Sequence, residues 1–187
     1  VIARNNDDTG ISISAKDKNR FFWPAHNLVL NSDSYNNLDL SGINADGFAA
    51  KLGVGPGNIF RGCIAHNNAD DGWDLFNKIE DGPNASVTIE NSVAYENGLP
   101  YNKADILKGS IGNGFKLGGE GQPVNHKVIN SIAINNNMDG FTDNFNTGSL
   151  IVRNNIAMNN ARYNYILRTN PYKFPSSILF DNNYSIR

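Results

Sequence analysis

An all-β fold, a right-handed parallel β-helix built as a single-stranded solenoid, is what this sequence predicts, on three observations. A four-residue motif recurs along the chain, a Gly-aromatic pair follows most of its copies, and asparagine occurs 32 times in 187 residues. Repetition of one small unit marks a solenoid, in which each coil buries its apolar side only against its neighbours.

The motif is clearest as Asn91-Ser92-Val93-Ala94, Asn130-Ser131-Ile132-Ala133 and Asn154-Asn155-Ile156-Ala157. Looser copies are Asn31-Ser32-Asp33-Ser34, Gly62-Cys63-Ile64-Ala65 and Asn182-Asn183-Tyr184-Ser185. Each follows a strand-prone run such as Val87-Thr88-Ile89 or Leu150-Ile151-Val152. Most lead on to Gly47-Phe48, Gly72-Trp73, Gly114-Phe115 or Gly140-Phe141, at intervals of about 24 to 39 residues. Three short strands per copy, joined by turns rich in Asn and Gly, make one coil, with coils ~4.8 Å apart. Asparagines at one turn position then form a ladder of side-chain amide bonds, which accounts for their excess. Neither a leucine frame nor a recurring Trp-Asp dipeptide supports other repeat architectures.

The bulk numbers agree. Asn and Gly disfavour a helical protein, while 40% hydrophobic residues in regular spacing disfavour disorder. A net charge of −2 and a pI near 5.9 suggest no nucleic-acid partner, and no apolar run reaches membrane-spanning length. The chain opens on Val1-Ile2-Ala3 as though inside a repeat. Residues 1–187 are therefore expected to be one β-helical domain that lacks N-terminal coils. A short helix is expected between Lys103 and Ile111.

Four aspartates carry the chemistry. Asp46 precedes Gly47-Phe48, and Asp70, Asp71 and Asp74 surround Gly72-Trp73 in the next copy. Aligning copies on the Gly-aromatic pair puts Asp46, Asp71, Asn113 and Asp139 in one column, and Ala49, Asp74, Lys116 and Thr142 in a second. Side chains alternate across a strand, so with the aromatics inward the second column points outward from a solvent-facing sheet. Asp143 breaks that alternation. Four clustered carboxylates are costly without a cation, and all-oxygen ligands suit calcium before magnesium or zinc. A lysine beside such a site suits β-elimination from a uronic acid. The metal neutralises the substrate carboxylate, and a neutral amine removes the C5 proton. A lysine ordinarily titrates near 10.4, so an alkaline optimum is expected.

At these residues the chain resembles the pectate lyases of polysaccharide lyase family 9. The likeness rests on Ala45-Asp46-Gly47-Phe48-Ala49-Ala50-Lys51-Leu52, Phe60-Arg61-Gly62-Cys63-Ile64-Ala65-His66 and Asn68-Ala69-Asp70-Asp71-Gly72-Trp73-Asp74-Leu75. It continues in Gly112-Asn113-Gly114-Phe115-Lys116-Leu117-Gly118-Gly119-Glu120-Gly121 and Pro123-Val124-Asn125-His126. The resemblance implies a secreted or extracellular (or periplasmic or cell-surface) parallel β-helix that cleaves pectic polymers. Calcium would be held by Asp46, Asp70, Asp71 and Asp74, with Lys116 as the base.

Lys51, Phe76 and Asn144 share an outward column one step past the metal and are candidate substrate contacts. The competing readings are a rhamnogalacturonan I lyase on the same scaffold and a non-catalytic polysaccharide-binding β-helix, in which Lys116 is only a counter-charge for Asp74. An acid-pair hydrolase fits less well, because inverting hydrolysis needs neither the lysine nor calcium. The expected partner is polygalacturonate or rhamnogalacturonan, and the expected state is a monomer. His26, His66 and His126 share no column and are assigned surface or turn roles. Cys63 falls in a column with Ser92 and Ser131, as a stacked small residue.

Overall fold

The computed structural model describes residues 1–102, 104, 110–168 and 177–187. The chain winds repeatedly through three parallel sheets of seven, six and six strands. The first sheet begins at Ile2–Arg4 and continues with Asp33–Tyr35, Ile64–His66, Val93–Tyr95, Ile132–Ile134, Ile156–Met158 and Tyr184–Ile186. The second stacks Ile11–Ile13, Phe48–Ala50, Trp73–Asp74, Phe115–Lys116, Phe141–Thr142 and Tyr165–Ile166. Leu28–Leu30, Asn58–Arg61, Val87–Glu90, Lys127–Ile129, Ile151–Arg153 and Leu179–Asp181 form the third. Each recurring motif is thus the turn into a first-sheet strand, and each Gly-aromatic pair opens a second-sheet strand. The helix expected between Lys103 and Ile111 falls largely outside the described residues.

Asparagine does two separate jobs. The first residue of the motif sits in the left-handed region: Asn31, Asn91, Asn130, Asn154 and Asn182 have φ between 47° and 56°, and Gly62 takes the same place at 64°. Asn tolerates this conformation because its short polar side chain bonds locally. A different column, in the turn after each first-sheet strand, forms the buried ladder. Its rungs run from Asn6 through Asn37, Asn68, Asn97, Asn136 and Asn160 to Asn164, each Nδ2 donating to the next Oδ1 at 2.7–3.0 Å. From Asn68 to Asn160 the second Nδ2 proton goes to the backbone carbonyl of Ser34, Ala65, Ala94 or Ala133. Spacing between successive rungs up to Asn160 is 31, 31, 29, 39 and 24 residues. The turns therefore absorb every change in coil length.

A second polar column meets the Cys63 expectation. Cys63 N–H donates to Ser92 Oγ, Ser92 N–H to Ser131 Oγ, and Ser131 N–H to Asn155 Oδ1. Beside these ladders runs an aromatic stack of Phe48, Trp73, Phe115, Phe141 and Tyr165, with ring centroids 4.7–5.0 Å apart. The centroid spacing matches the inter-strand distance, so offset stacking costs the sheet no distortion. The glycine before each of the first four rings is needed where coils approach: a methyl on Gly72 would lie 2.6 Å from the Gly114 carbonyl oxygen.

Two histidines differ from expectation. His66 lies on a first-sheet strand, its ring sandwiched between Tyr35 and Tyr95 at 4.7 and 4.6 Å. His126 points into the core at the start of a third-sheet strand, and its Nδ1 accepts the Val87 N–H at 3.1 Å. A lone histidine has no repeat column of its own type to follow, so the repeat register gives no signal for either position. His26 does occupy a left-handed turn, at φ 58°.

Candidate metal centre and groove

The second sheet positions the site. Its register pairs Ala49 with Asp74, Asp74 with Lys116, and Lys116 with Thr142, as the aligned columns require. Just before each strand, the Asp46 column is tied by its own ladder. Asp71 N–H donates to Asp46 Oδ1 at 3.2 Å, Asn113 N–H to Asp71 Oδ1 at 2.7 Å, and Asp139 N–H to Asn113 Oδ1 at 3.1 Å. Thr9 caps one end through Asp46 Oδ2, and Arg162 caps the other on Asp139. Asp143, which breaks the alternation, is buried and paired with Arg168 at 3.1 Å.

Asp46, Asp71 and Asp74 bring carboxylate oxygens within 4.8 Å of one another, and Asp70 adjoins them in sequence. All four are buried, with at most 3% of their surface exposed. This corrects the expectation of a solvent-facing cluster: the lysine side chains bend over the acids. Lys116 Nζ lies 3.0 Å from Asp71 and 3.4 Å from Asp74. Lys51 Nζ lies 2.7 Å from Asp46 and 2.8 Å from Asp74.

The electrostatics follow from crowding. Burial, reinforced by Asp71 and Asp46, pushes Asp70 up to about 9. Burial and the Asp74 charge raise Asp46 well above the ordinary carboxylate range. Burial alone would raise Asp74 too, but Lys116 and Lys51 hold it below its usual value. Burial disfavours the Lys116 ammonium, yet Asp71, Asp74, Asp70 and Asp46 together outweigh it and raise its pKa. Asp70 Oδ1 is buried with no hydrogen-bond partner. Such an orphaned oxygen, in an all-oxygen donor set carrying two more acids than lysines, fits a hard divalent cation.

An open groove of about 640 Å³ lies over the cluster, lined in part by Lys51, Asp74, Phe76, Lys78 and Lys116. The Lys116 ammonium stands 5.6 Å from the Phe76 ring centroid. Of the three candidate substrate contacts, Phe76 therefore faces the groove, whereas Lys51 is turned onto the acids. Asn144 is a left-handed turn residue whose Nδ2 donates to the Gly118 carbonyl at 2.8 Å. Sequence reasoning missed the groove walls, Asp7, Asp8, Asp39, Ile43 and Lys78. Asp39, Ile43 and Lys78 sit in connecting segments outside the repeat frame, so alignment of copies gave no signal for them, whereas Asp7 and Asp8 follow the ladder residue Asn6 at the spacing at which Ala69 and Asp70 follow Asn68.

Fold and site together define a right-handed parallel β-helix with a lysine-bearing acidic groove on its second sheet. A family model for the Pel9A-like right-handed β-helix region matches residues 1–182, and the chain belongs to that family. The pectate disaccharide-lyase of Dickeya chrysanthemi is 52% identical over 189 residues, covering 100% of this chain and 24% of that protein. The crystal structure of pectate lyase Pel9A is 36% identical with a TM-score of 0.80, covering 100% of this chain and 43% of that one. A rhamnogalacturonan lyase structure is 35% identical with a TM-score of 0.61, covering 72% of this chain and 35% of its own. The chain spans less than half the length of each of these relatives.

Proposed function

We propose that this chain carries the catalytic centre of a calcium-dependent pectate lyase that cleaves α-1,4-linked polygalacturonate by β-elimination. The observation that carries the reading is the placement of Lys116 on the coil next to Asp74, with its ammonium between the buried Asp71 and Asp74 carboxylates and an open groove. Asp46, Asp70, Asp71 and Asp74 would hold the calcium. When bound, calcium supplies charge neutralisation for the substrate carboxylate and for the negative charge that develops beside it.

Lys116 Nζ takes the C5 proton. The C–H electron pair becomes the C4–C5 double bond, the bond from C4 to the glycosidic oxygen breaks, and that oxygen takes a proton from water. The base must be neutral to start, and the carboxylates are what keep Lys116 protonated. Neutralising them favours the free amine, so activity rises toward alkaline pH. Phe76 flanks the ammonium and limits where it points. A polymer too large to cross a membrane calls for cleavage outside the cell, and a periplasmic location would suit only fragments small enough to enter it.

The test is absorbance of the unsaturated uronate product from polygalacturonate, with calcium and with chelator. A calcium-dependent rise that Lys116→Ala lowers by a factor of about 10² to 10⁴ supports the reading. A Lys116→Ala protein with full activity would remove the base assignment. The second reading is a rhamnogalacturonan lyase, favoured by the likeness to that solved structure. A signal on rhamnogalacturonan alone selects it.

A further inference from the structure

The two lysines over the acids are not equivalent. Lys116 touches Asp71 and Asp74 from the neighbouring coil. Lys51 is wedged between Asp46 and Asp74, donating to an Oδ2 of each at 2.7 and 2.8 Å. Asp46 and Asp74 are two of the three residues whose oxygens converge closely enough to share one cation. The Lys51 ammonium thus already fills part of the coordination that a metal would need. It does so incompletely: two lysines face four acids, and Asp70 Oδ1 has no partner.

We propose that Lys51 is a built-in stand-in for the metal, which holds Asp46 and Asp74 together in the metal-free protein and must leave their oxygens when a divalent cation binds. The inference rests on the calcium reading above. Calcium–oxygen bonds of about 2.3–2.6 Å to those oxygens would bring the ion within a few ångströms of the ammonium. Two cations that close repel strongly in a buried setting. The lysine stem is flexible enough to swing its ammonium away, and the groove that Lys51 lines gives it room. Lys51 therefore competes with calcium and sets the affinity of the site.

The test is calorimetric titration of calcium into chelator-treated protein, with thermal unfolding in parallel. Lys51→Met keeps the length of the stem and removes the charge. It is expected to bind calcium at least about tenfold tighter than the parent. In chelator it should melt lower, and its melting temperature should rise more on adding calcium. Lys51→Gln carries the same test if the Met variant does not fold. Lys78→Met is the control for long-range charge, since Lys78 lines the same groove but pairs with Glu80 at 3.9 Å. It should change calcium affinity by less than about threefold. Equal calcium affinity in parent and Lys51→Met overturns this inference and leaves the calcium reading standing, and so does an equal gain in Lys78→Met. Absence of calcium binding in both parent and Lys51→Met overturns the two together.

Discussion

Replacing His126 with Asn is expected to remove a specific part of this protein's acid sensitivity. His126 is fully buried, its Nδ1 accepts the Val87 N–H, and its Nε2 has no partner. Burial pushes its pKa down from 6.5 to about 3. The unfolded chain therefore binds a proton between pH 6.5 and 3 that the folded chain refuses. Stability is unaffected by His126 above pH 6.5, falls as pH drops through 6.5, and stops falling near pH 3. At pH 5 the deficit amounts to about 2 kcal/mol. Asn is the natural substitute, because Asn58 occupies the same inward column and its Oδ1 accepts the Asn27 N–H at the same 3.1 Å. The smaller side chain costs about 1–2 kcal/mol at every pH through the space it leaves. Equilibrium denaturant unfolding of both proteins at pH 8 and pH 5 checks the expectation. The stability gap should shift by about 2 kcal/mol in favour of His126→Asn on going to pH 5. Parallel curves across that range would refute the reasoning, whatever the absolute stabilities.

Other expected outcomes concern the ladder, the groove and the acids. Asn97→Ala removes the acceptor used by Asn68 N–H and Nδ2 and the donor to the Ala65 carbonyl, all buried. It should cost about 3–5 kcal/mol in calorimetric unfolding, against about 1 kcal/mol for the partly exposed end rung Asn6→Ala. Equal losses would count against the ladder as a cooperative buried element. In Gly119→Ala the new methyl runs into the Phe76 ring, so stability should fall by about 1–3 kcal/mol and turnover should drop. In a Phe76→Ala background the stability penalty should largely vanish, which a double-mutant cycle reads directly. Asp70→Asn replaces a buried carboxyl whose pKa burial pushes up to about 9 and whose Oδ1 is unpartnered, so the folded chain no longer has to take up a proton there near neutral pH. It should raise the melting temperature in chelator and shrink the rise that calcium produces; a lower melting temperature in chelator would contradict that account.

Some of this protein can be read from its residues alone because stacking repeats one physical demand at every coil. The Gly-aromatic pair needs a close approach followed by a ring on a ring, so Phe48, Trp73, Phe115 and Phe141 declared the register, and the register carried Asp74 and Lys116 to adjacent positions. The motif asparagines were legible as turn markers. Asn130, Asn154 and Asn182 also link Nδ2 to Oδ1 from coil to coil, on the exposed side; that the buried ladder runs through Asn68, Asn97 and Asn136 required knowing which turn faces inward. The direction taken by Lys51 was not legible, since a flexible stem at the end of a strand answers to local charge rather than to the period of two. Nor were the groove walls, because Asp39 and Lys78 lie in connecting segments with no counterpart in the other copies.

The acids and the lysine belong to three successive coils, at strands Phe48–Ala50, Trp73–Asp74 and Phe115–Lys116. Their separations are therefore set by the repeat distance of the solenoid, as planes in a crystal are set by its lattice, and not by a hinge or a closing loop. Rings and amides stacked beneath the sheet act as a ruler for the chemistry above it. Loosening any rung under those three coils would be felt as misalignment between base and ligands, even where the side chains of the centre itself were untouched.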